Sequence, residues 1–176
     1  MDLEELRKTI VDIPDYPKKG VVFRDITTLM KNGEALRCAI KEMKKRCEEK
    51  KIDVIVGIES RGFILGGILA HELGVGFVPI RKKGKLPREV VRAEYELEYG
   101  KDHIEMHKDG ILERQNVMII DDLLATGGTA EAAIRLVESL SGKVVGLGFL
   151  IELTFLNGRE KIEGYDMFSL IQYDSE

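Results

Sequence analysis

The chain has no tryptophan and, in 176 residues, only two cysteines, three histidines and four prolines. Cys38 and Cys47 stand nine positions apart in a charged, helical-looking stretch. That spacing offers neither a disulfide framework nor a cysteine-based metal site. His71, His103 and His107 are scattered. The last two are four apart, but the residues around them alternate as in a strand, so a helical metal pair is not expected. No excess of positive charge exists either: 27 Lys+Arg stand against 31 Asp+Glu, a net charge of −4. No general field therefore draws nucleic acid, and any anion must be held by a local basic patch. The longest apolar stretch, Gly62 to Ala70, falls far short of the roughly 20 residues that cross a bilayer. The opening MDLEELRKTI lacks the basic-then-apolar layout of a signal peptide. A soluble, cytoplasmic protein is expected.

What remains is an ordinary globular mixture, 44% hydrophobic and 33% charged with 18 glycines. It excludes a disordered chain, a collagen and a coiled coil. The length fits one domain, and folding at this size buries roughly 70% of the unfolded surface without metals or disulfides.

Leu3, Leu6 and Ile10 mark a short amphipathic helix, followed by a loop through Pro14, Pro17 and Gly20. Leu36, Ile40, Met43 and Cys47 recur at helical spacing and predict a helix from about Gly33 to Lys50. Ile52 to Ile58 is then a continuous apolar, β-branched run, as in a strand buried on both faces. Glu59 to Gly62 turns the chain into a helix over Phe63–Leu73 closed by Gly74, and Gly76–Ile80 is the next strand. That unit predicts a parallel sheet with a right-handed crossover. Arg81 to Asp109 differs, being long and charged with few aliphatic clusters. Its basic first part holds Arg81, Lys82, Lys83, Lys85 and Arg88; its second part alternates, suggesting a two-stranded flap around Gly100–Lys101. Long segments of this kind are usually functional or disordered. Strands at Val117–Ile120, Val144–Leu153 and Met167–Gln172, with a helix through Ala132, Ala133, Leu136 and Leu140, complete an α/β pattern. The expected architecture is a mostly parallel twisted sheet flanked by helices.

The chemistry concentrates in VMIIDDLLATGGT, residues 117–129. A buried strand delivers Asp121 and Asp122 at its carboxyl edge, where open α/β sheets bind ligands. A glycine-rich turn then leads straight into a helix, whose first N–H groups and dipole form an anion site. Gly127 and Gly128 permit close backbone approach, and Thr126 and Thr129 add hydroxyls. One segment thus offers a phosphate cradle and two acceptors suited to a vicinal diol, the two ends of a 5-phosphorylated ribose. Two plainer readings compete: a metal-binding carboxylate of a nucleotide hydrolase, or a solvated strand end beside an ordinary turn. The first lacks the G-x-x-x-x-G-K-[ST] loop anywhere in the chain.

In this order and spacing the segment resembles the phosphoribosyl pyrophosphate (PRPP) signature of type I phosphoribosyltransferases. Its Leu-Leu-Ala-Thr-Gly-Gly-Thr ending is similar to the adenine-using members. The likeness extends to Phe23–Thr27, to Glu59–Phe63, to Ile80–Pro87, to Tyr95–Lys101, and to Glu152–Thr154 with Gly158–Lys161. It therefore covers most of the chain. The resemblance implies transfer of the phosphoribosyl group from PRPP to adenine, giving AMP and pyrophosphate with Mg²⁺ as cofactor. It further implies that Asp121 and Asp122 hold the ribose hydroxyls while Ala125, Thr126, Gly127, Gly128 and Thr129 hold the 5-phosphate. Ser60 and Arg61 would face pyrophosphate across a cis Glu59–Ser60 peptide, joined by Arg81. Val22, Phe23 and Arg24 would pair with the base edge, Phe23 and Leu153 clamping its faces. Glu98 would be the acid/base group. The magnesium ion would come with PRPP near Asp121 and Asp122, not on a set of protein ligands. Residues 1–32 would form the base-binding segment, residues 81–109 a flexible lid, and two chains a homodimer. Neither nucleic acid nor membrane is an expected partner. Enzymes of the same fold acting on hypoxanthine, guanine, xanthine or orotate, and a non-catalytic PRPP-sensing module, remain alternatives.

Overall fold

A computed structural model describes residues 1–97 and 100–175. Its first half contains α1 (Leu3–Arg7), β1 (Val11–Ile13), β2 (Phe23–Asp25), α2 (Thr27–Lys31), α3 (Gly33–Cys47), β3 (Val54–Ile58), α4 (Arg61–Leu73) and β4 (Gly76–Lys82). The second half adds β5 (Val90–Leu97), β6 (Gly100–His107), β7 (Asn116–Leu124), α5 (Gly128–Ser139), β8 (Lys143–Leu153) and β9 (Met167–Tyr173). Among the described residues seven strands form one sheet in the order β5-β6-β4-β3-β7-β8-β9. The five from β4 to β9 run parallel, and the β5–β6 hairpin joins antiparallel at the β4 edge.

Every residue of β3 is buried, as a strand covered on both faces requires. Alternate strand residues divide between two cores. Ile55, Met118 and Ile120 pack with α1 to α4 (Leu6, Leu29, Met43, Leu65, Leu69). Val54, Val56, Ile58, Val117 and Ile119 pack with α5 (Ala133, Leu136, Val137) and with the hairpin. Helix α3 starts where Asn32 Oδ1 accepts from the N–H groups of Glu34 and Ala35, at 3.0 and 3.2 Å. Its last turn holds Lys44, Lys45 and Arg46, charges that favour a helix C-terminus. Helix α4 ends at Gly74, whose φ of +68° few side chains tolerate.

The chain leaves β3 through α4 towards β4, and leaves β7 through α5 towards β8 on the opposite side. Since β3 and β7 are neighbours, their carboxyl ends flank the point where the winding reverses. Open parallel sheets bind ligands there.

Three features depart from the expected elements. Strands β1 and β2 pair as a separate antiparallel ribbon, and α2 follows at once; five and three residues are too few for periodicity to register. Strand β7 runs on through Asp121 and Asp122 to Leu124, because β8 keeps pairing with it as far as Glu152. The alternating half of the charged segment is indeed two strands, on either side of residues 98–99. Its base is anchored by Ala93, Tyr95, Ile104 and Met106, all buried beneath α5. His103 and His107 both lie on β6, so at about 3.3 Å per residue they stand roughly 13 Å apart. Cys47 is buried in the α3 core, where desolvation pushes its thiol up to about 11.

Leu65 is fully buried, whereas its neighbour Ile64 is 46% exposed. Leu65→Ala should cost about 2–5 kcal/mol of unfolding free energy, and Ile64→Ala under about 0.5 kcal/mol. Urea titration followed by circular dichroism reads both.

Candidate active site

Two helix N-termini meet at the reversal. Helix α4 begins at Arg61 immediately after β3, and the Glu59–Ser60 peptide before it is cis. Helix α5 begins at Gly128 after β7, entered through Gly127 at φ +81°. First-turn N–H groups have no partner inside their own helix, so each start presents donors and a partial positive charge. Glycine lets the two starts come close. A Cβ at position 62 would lie 2.9 Å from the Ile120 carbonyl oxygen and 3.0 Å from Asp121 Oδ1. Gly62 therefore brings the first turn of α4 onto the end of β7.

Asp121 and Asp122 occupy the space between these starts, both buried. Arg61 Nε donates to Asp122 Oδ2 at 2.5 Å, and Asp122 N–H donates to Asp121 Oδ1 at 2.8 Å. The consequences for the two acids differ. Burial, and then the like charge of Asp122, push the Asp121 carboxyl well above its ordinary range. Burial opposes the charge on Arg61, yet Asp122 holds the guanidinium more firmly protonated than usual. Asp122 has a cationic partner, while Asp121 accepts from the Asp122 backbone N–H. Asp121 thus fits a ligand that brings either hydroxyl protons or a divalent cation. Among the described residues no three His, Cys, Asp or Glu side chains converge into a metal site.

Glu59 organises the basic segment. It accepts from Lys82 N–H at 2.9 Å and Arg81 Nε at 3.3 Å, and it pairs with Lys85. These contacts outweigh burial and hold its carboxyl below the ordinary range. Arg81 also lies over the Phe63 ring, 6.0 Å from its centroid. Buried Glu105 fixes the same turn from below, accepting from Gly84 N–H at 2.9 Å and Arg92 Nε at 2.8 Å. Arg81 and Lys85 are therefore brought beside the Ser60 loop, while Arg88 pairs with Asp109 and Lys82 with Asp102.

The residues expected to bind the base are linked more indirectly. Phe23 meets Tyr16 edge-on at 5.3 Å. The Arg24 side chain turns to Asp12 (2.5 Å), the Ser175 carbonyl (3.2 Å) and the face of Tyr173 (4.2 Å). These contacts engage the guanidinium, while the buried Arg24 Nε has no hydrogen-bond partner among the described residues. Thr154, next to Leu153, bonds the Tyr173 carbonyl and Asp174 at 3.1 and 2.7 Å. Residues 173–175 thus tie Arg24 of β2 to the Leu153 end of β8. Asp25, beside Arg24, lies within electrostatic reach of Arg61. Glu98 lies outside the described residues.

Sequence reasoning missed the roles of Glu59 as counter-ion, of Gly62, and of Gly158. A Cβ at Gly158 would stand 2.2 Å from the Ala125 carbonyl oxygen, and one at Gly127 would stand 2.3 Å from the Gly158 carbonyl oxygen. In the sequence, Asn157-Gly158 signals only a turn; nothing local shows what it turns against.

A parallel sheet whose winding reverses between two helix starts defines an α/β protein with a ligand crevice at its strand ends. The phosphoribosyl transferase domain model matches residues 26–174, and the chain belongs to that family. It is 57% identical over 168 residues to an adenine phosphoribosyltransferase of Halothermothrix orenii, covering 96% of this chain and 99% of that one. Among solved structures, the adenine phosphoribosyltransferase of Thermoanaerobacter pseudethanolicus superposes with a TM-score of 0.95 at 55% identity, covering 97% and 99% of the two chains. The Saccharomyces cerevisiae enzyme, complexed with adenine and an imino-altritol bisphosphate, gives 0.92 at 44% identity, covering 96% and 97%.

The unequal charge compensation has a measurable consequence. A carboxyl raised above its ordinary value of 3.8 costs stability wherever it is ionised in the fold. That cost vanishes at acid pH, where folded and unfolded chains are both protonated. Asp121→Asn keeps the oxygen that accepts from Asp122 N–H and should raise Tm at neutral pH, the gain fading towards pH 4. Asp122→Asn leaves Arg61 without its partner and should lower Tm. Differential scanning fluorimetry across pH distinguishes the two.

Proposed function

We propose that the protein is an adenine phosphoribosyltransferase, transferring the 5-phosphoribosyl group of PRPP to adenine and releasing pyrophosphate. The observation that carries this reading is the order of three sites along the reversal. An anion-binding helix start lies at Ser60–Arg61, a carboxylate pair at Asp121–Asp122, and a second anion-binding start at Ala125–Thr129. PRPP has the same order: a pyrophosphate, a ribose diol and a 5-phosphate.

In that pose the substrate lies across the ends of β3 and β7. The α5 start and the Thr126 and Thr129 hydroxyls hold the 5-phosphate. Asp121 and Asp122 accept from the ribose hydroxyls. As the bond from C1 to pyrophosphate loosens, positive charge grows on the ribose ring and negative charge on the departing oxygens. The amides at Ser60–Arg61, with the Arg61 and Arg81 guanidiniums, face the negative end. Donors fixed before the reaction stabilise such charge without reorganisation. Magnesium, bound with PRPP by its own oxygens near Asp121 and Asp122, would supply further neutralisation of the pyrophosphate charge. The pairing edge at Val22–Arg24, with Phe23 and Leu153 on the ring faces, orients adenine for attack, and Glu98 exchanges the proton on the base. Lid movement over residues 81–109 would shield the site, by exchanging the Glu59 contacts of Arg81 and Lys85 for the pyrophosphate. Two thiols not joined by a disulfide suit a reducing cytoplasm. Among the described residues no helix is long and apolar enough to cross a membrane. Two chains would form a homodimer.

Assay of AMP formation from adenine, PRPP and Mg²⁺ tests the reading. Hypoxanthine should be used about 10⁴-fold less efficiently in kcat/KM, because its 6-oxo edge leaves buried polar groups unmatched. Comparable turnover would move the chain to another base within the family, and binding of PRPP without turnover would make it a sensor. Glu98→Gln should lower kcat by about 10²–10⁴ while leaving PRPP affinity unchanged by calorimetry.

A further inference from the structure

Glu152 is the third strongly buried carboxylate of the β7–β8 end, only 2% exposed, and the reaction scheme gives it no task. It sits at the carboxyl end of β8, between Leu124 of β7 and Gln172 of β9 in the sheet register. Arg159 grips it with two donors, Nε at 2.5 Å and Nη2 at 2.7 Å. Ser169 Oγ donates at 2.5 Å and Gln172 Nε2 at 3.1 Å. Four donors therefore saturate one carboxylate, and together they overcome burial to keep it ionised. The guanidinium, in contrast, is half exposed. Its bidentate fork fixes direction as well as distance.

That direction matters because the residue before Arg159 is Gly158, whose backbone lies against Ala125 and Gly127. The turn from Thr154 to Ile162 contacts the phosphate-binding loop with bare backbone and is held there by the Arg159 grip. Ile162, buried under α5, secures its far end.

We propose that Glu152 and Arg159 are positioning residues for the 5-phosphate loop, acting through Gly158 on Ala125–Gly127. Neither touches substrate. The proposal rests on the assignment of that loop to the PRPP 5-phosphate. A 1 Å misplacement of a binding group can cost about 10²-fold, so a loosened loop should be read in PRPP affinity before anything else.

The test measures PRPP–Mg²⁺ binding by calorimetry, together with kcat and both KM values. The variants are Glu152→Gln, Arg159→Lys, Glu152→Gln/Arg159→Gln and, as a reference, Thr126→Ala. Glu152→Gln should weaken PRPP by about tenfold with kcat within about twofold, and Arg159→Lys should do so by about threefold, since one ammonium replaces two aligned donors. The double variant, restoring a neutral hydrogen-bonded pair, should recover PRPP affinity to within about threefold of wild type. A loss shared equally by adenine KM, PRPP KM and kcat would mark a general structural role and overturn the proposal. Should Glu152→Gln fail to fold, Arg159→Lys carries the test, because its side chain is half exposed. Wild-type PRPP affinity in the Arg159 variant with weakened affinity in Thr126→Ala refutes the positioning role alone. Wild-type affinity in Thr126→Ala as well refutes the phosphate assignment beneath it.

Discussion

The site depends on one close approach: the first turn of α4 against the carboxyl end of β7, with no side chain at position 62 to hold them apart. That contact puts an anion-binding helix start from one βα unit beside the carboxylates of the next. It works only because β3 and β7 are neighbours whose crossovers leave in opposite directions. Were they wound the same way, the second helix would lie across the strand ends and fill the crevice. Gly127 and Gly158 repeat the device on the other flank, where backbone meets backbone around the loop of residues 125–127. The cradle is thus made largely of main chain, which has few conformations to lose on binding and donors already aimed.

The buried acids divide by what stands opposite them. Glu105, Glu152 and Asp122 each face a guanidinium, and Glu59, which is only partly buried, faces Arg81 and Lys85. Glu105 and Glu152 hold structure, a turn and a strand end. Asp121 is raised in pKa, whereas buried Glu105 and Glu152 are lowered. An ionised carboxylate away from water needs a cation or several donors to remain so. The fold supplies neither in full, and the missing partner belongs to the ligand. Such a residue lowers stability in the free protein and strengthens binding in the complex, an arrangement usual at functional sites.

The sequence was legible where physics acts locally. The buried strands at Val54–Ile58 and Val117–Ile120, helix α4 with its glycine stop, and the Asp121–Thr129 segment could all be read from periodicity and turn chemistry. The alternation of Tyr95, Leu97, Ile104 and Met106 gave the hairpin, but not that its base would be roofed by α5. Elements of three to five residues, β1, β2 and α2, carry too few side chains to show a period. The least legible features are those made by chain segments far apart in sequence. Nothing near Gly158 indicates the loop 31 residues earlier that it touches at Gly127, and nothing near Glu59 indicates that it will neutralise Arg81 and Lys85. Arg24 makes the same point: nothing near it in the sequence indicates that Tyr173 and the Ser175 carbonyl will engage its side chain.

Together these constraints explain why the chemistry is split between rigid and exchangeable parts. The phosphate loop is bounded by Gly127, Gly158 and the core residue Ile162, so it has no room to adapt and selects for shape. Arg81 and Lys85 are held by an acid that a pyrophosphate can outcompete, because both anions offer oxygens while only the pyrophosphate carries several charges. Binding at one end is therefore lock-like, and at the other it is an exchange of counter-ions. A ligand occupying both ends at 100 times its Kd stabilises the folded chain by about 2.7 kcal/mol. It also supplies Asp121 with the partner the fold withholds. On the proposed function this asymmetry would order events: the preformed loop and carboxylate pair would take PRPP first, and the basic segment would then pass from Glu59 to the pyrophosphate. Adenine would enter last, between segments already tied together through residues 173–175.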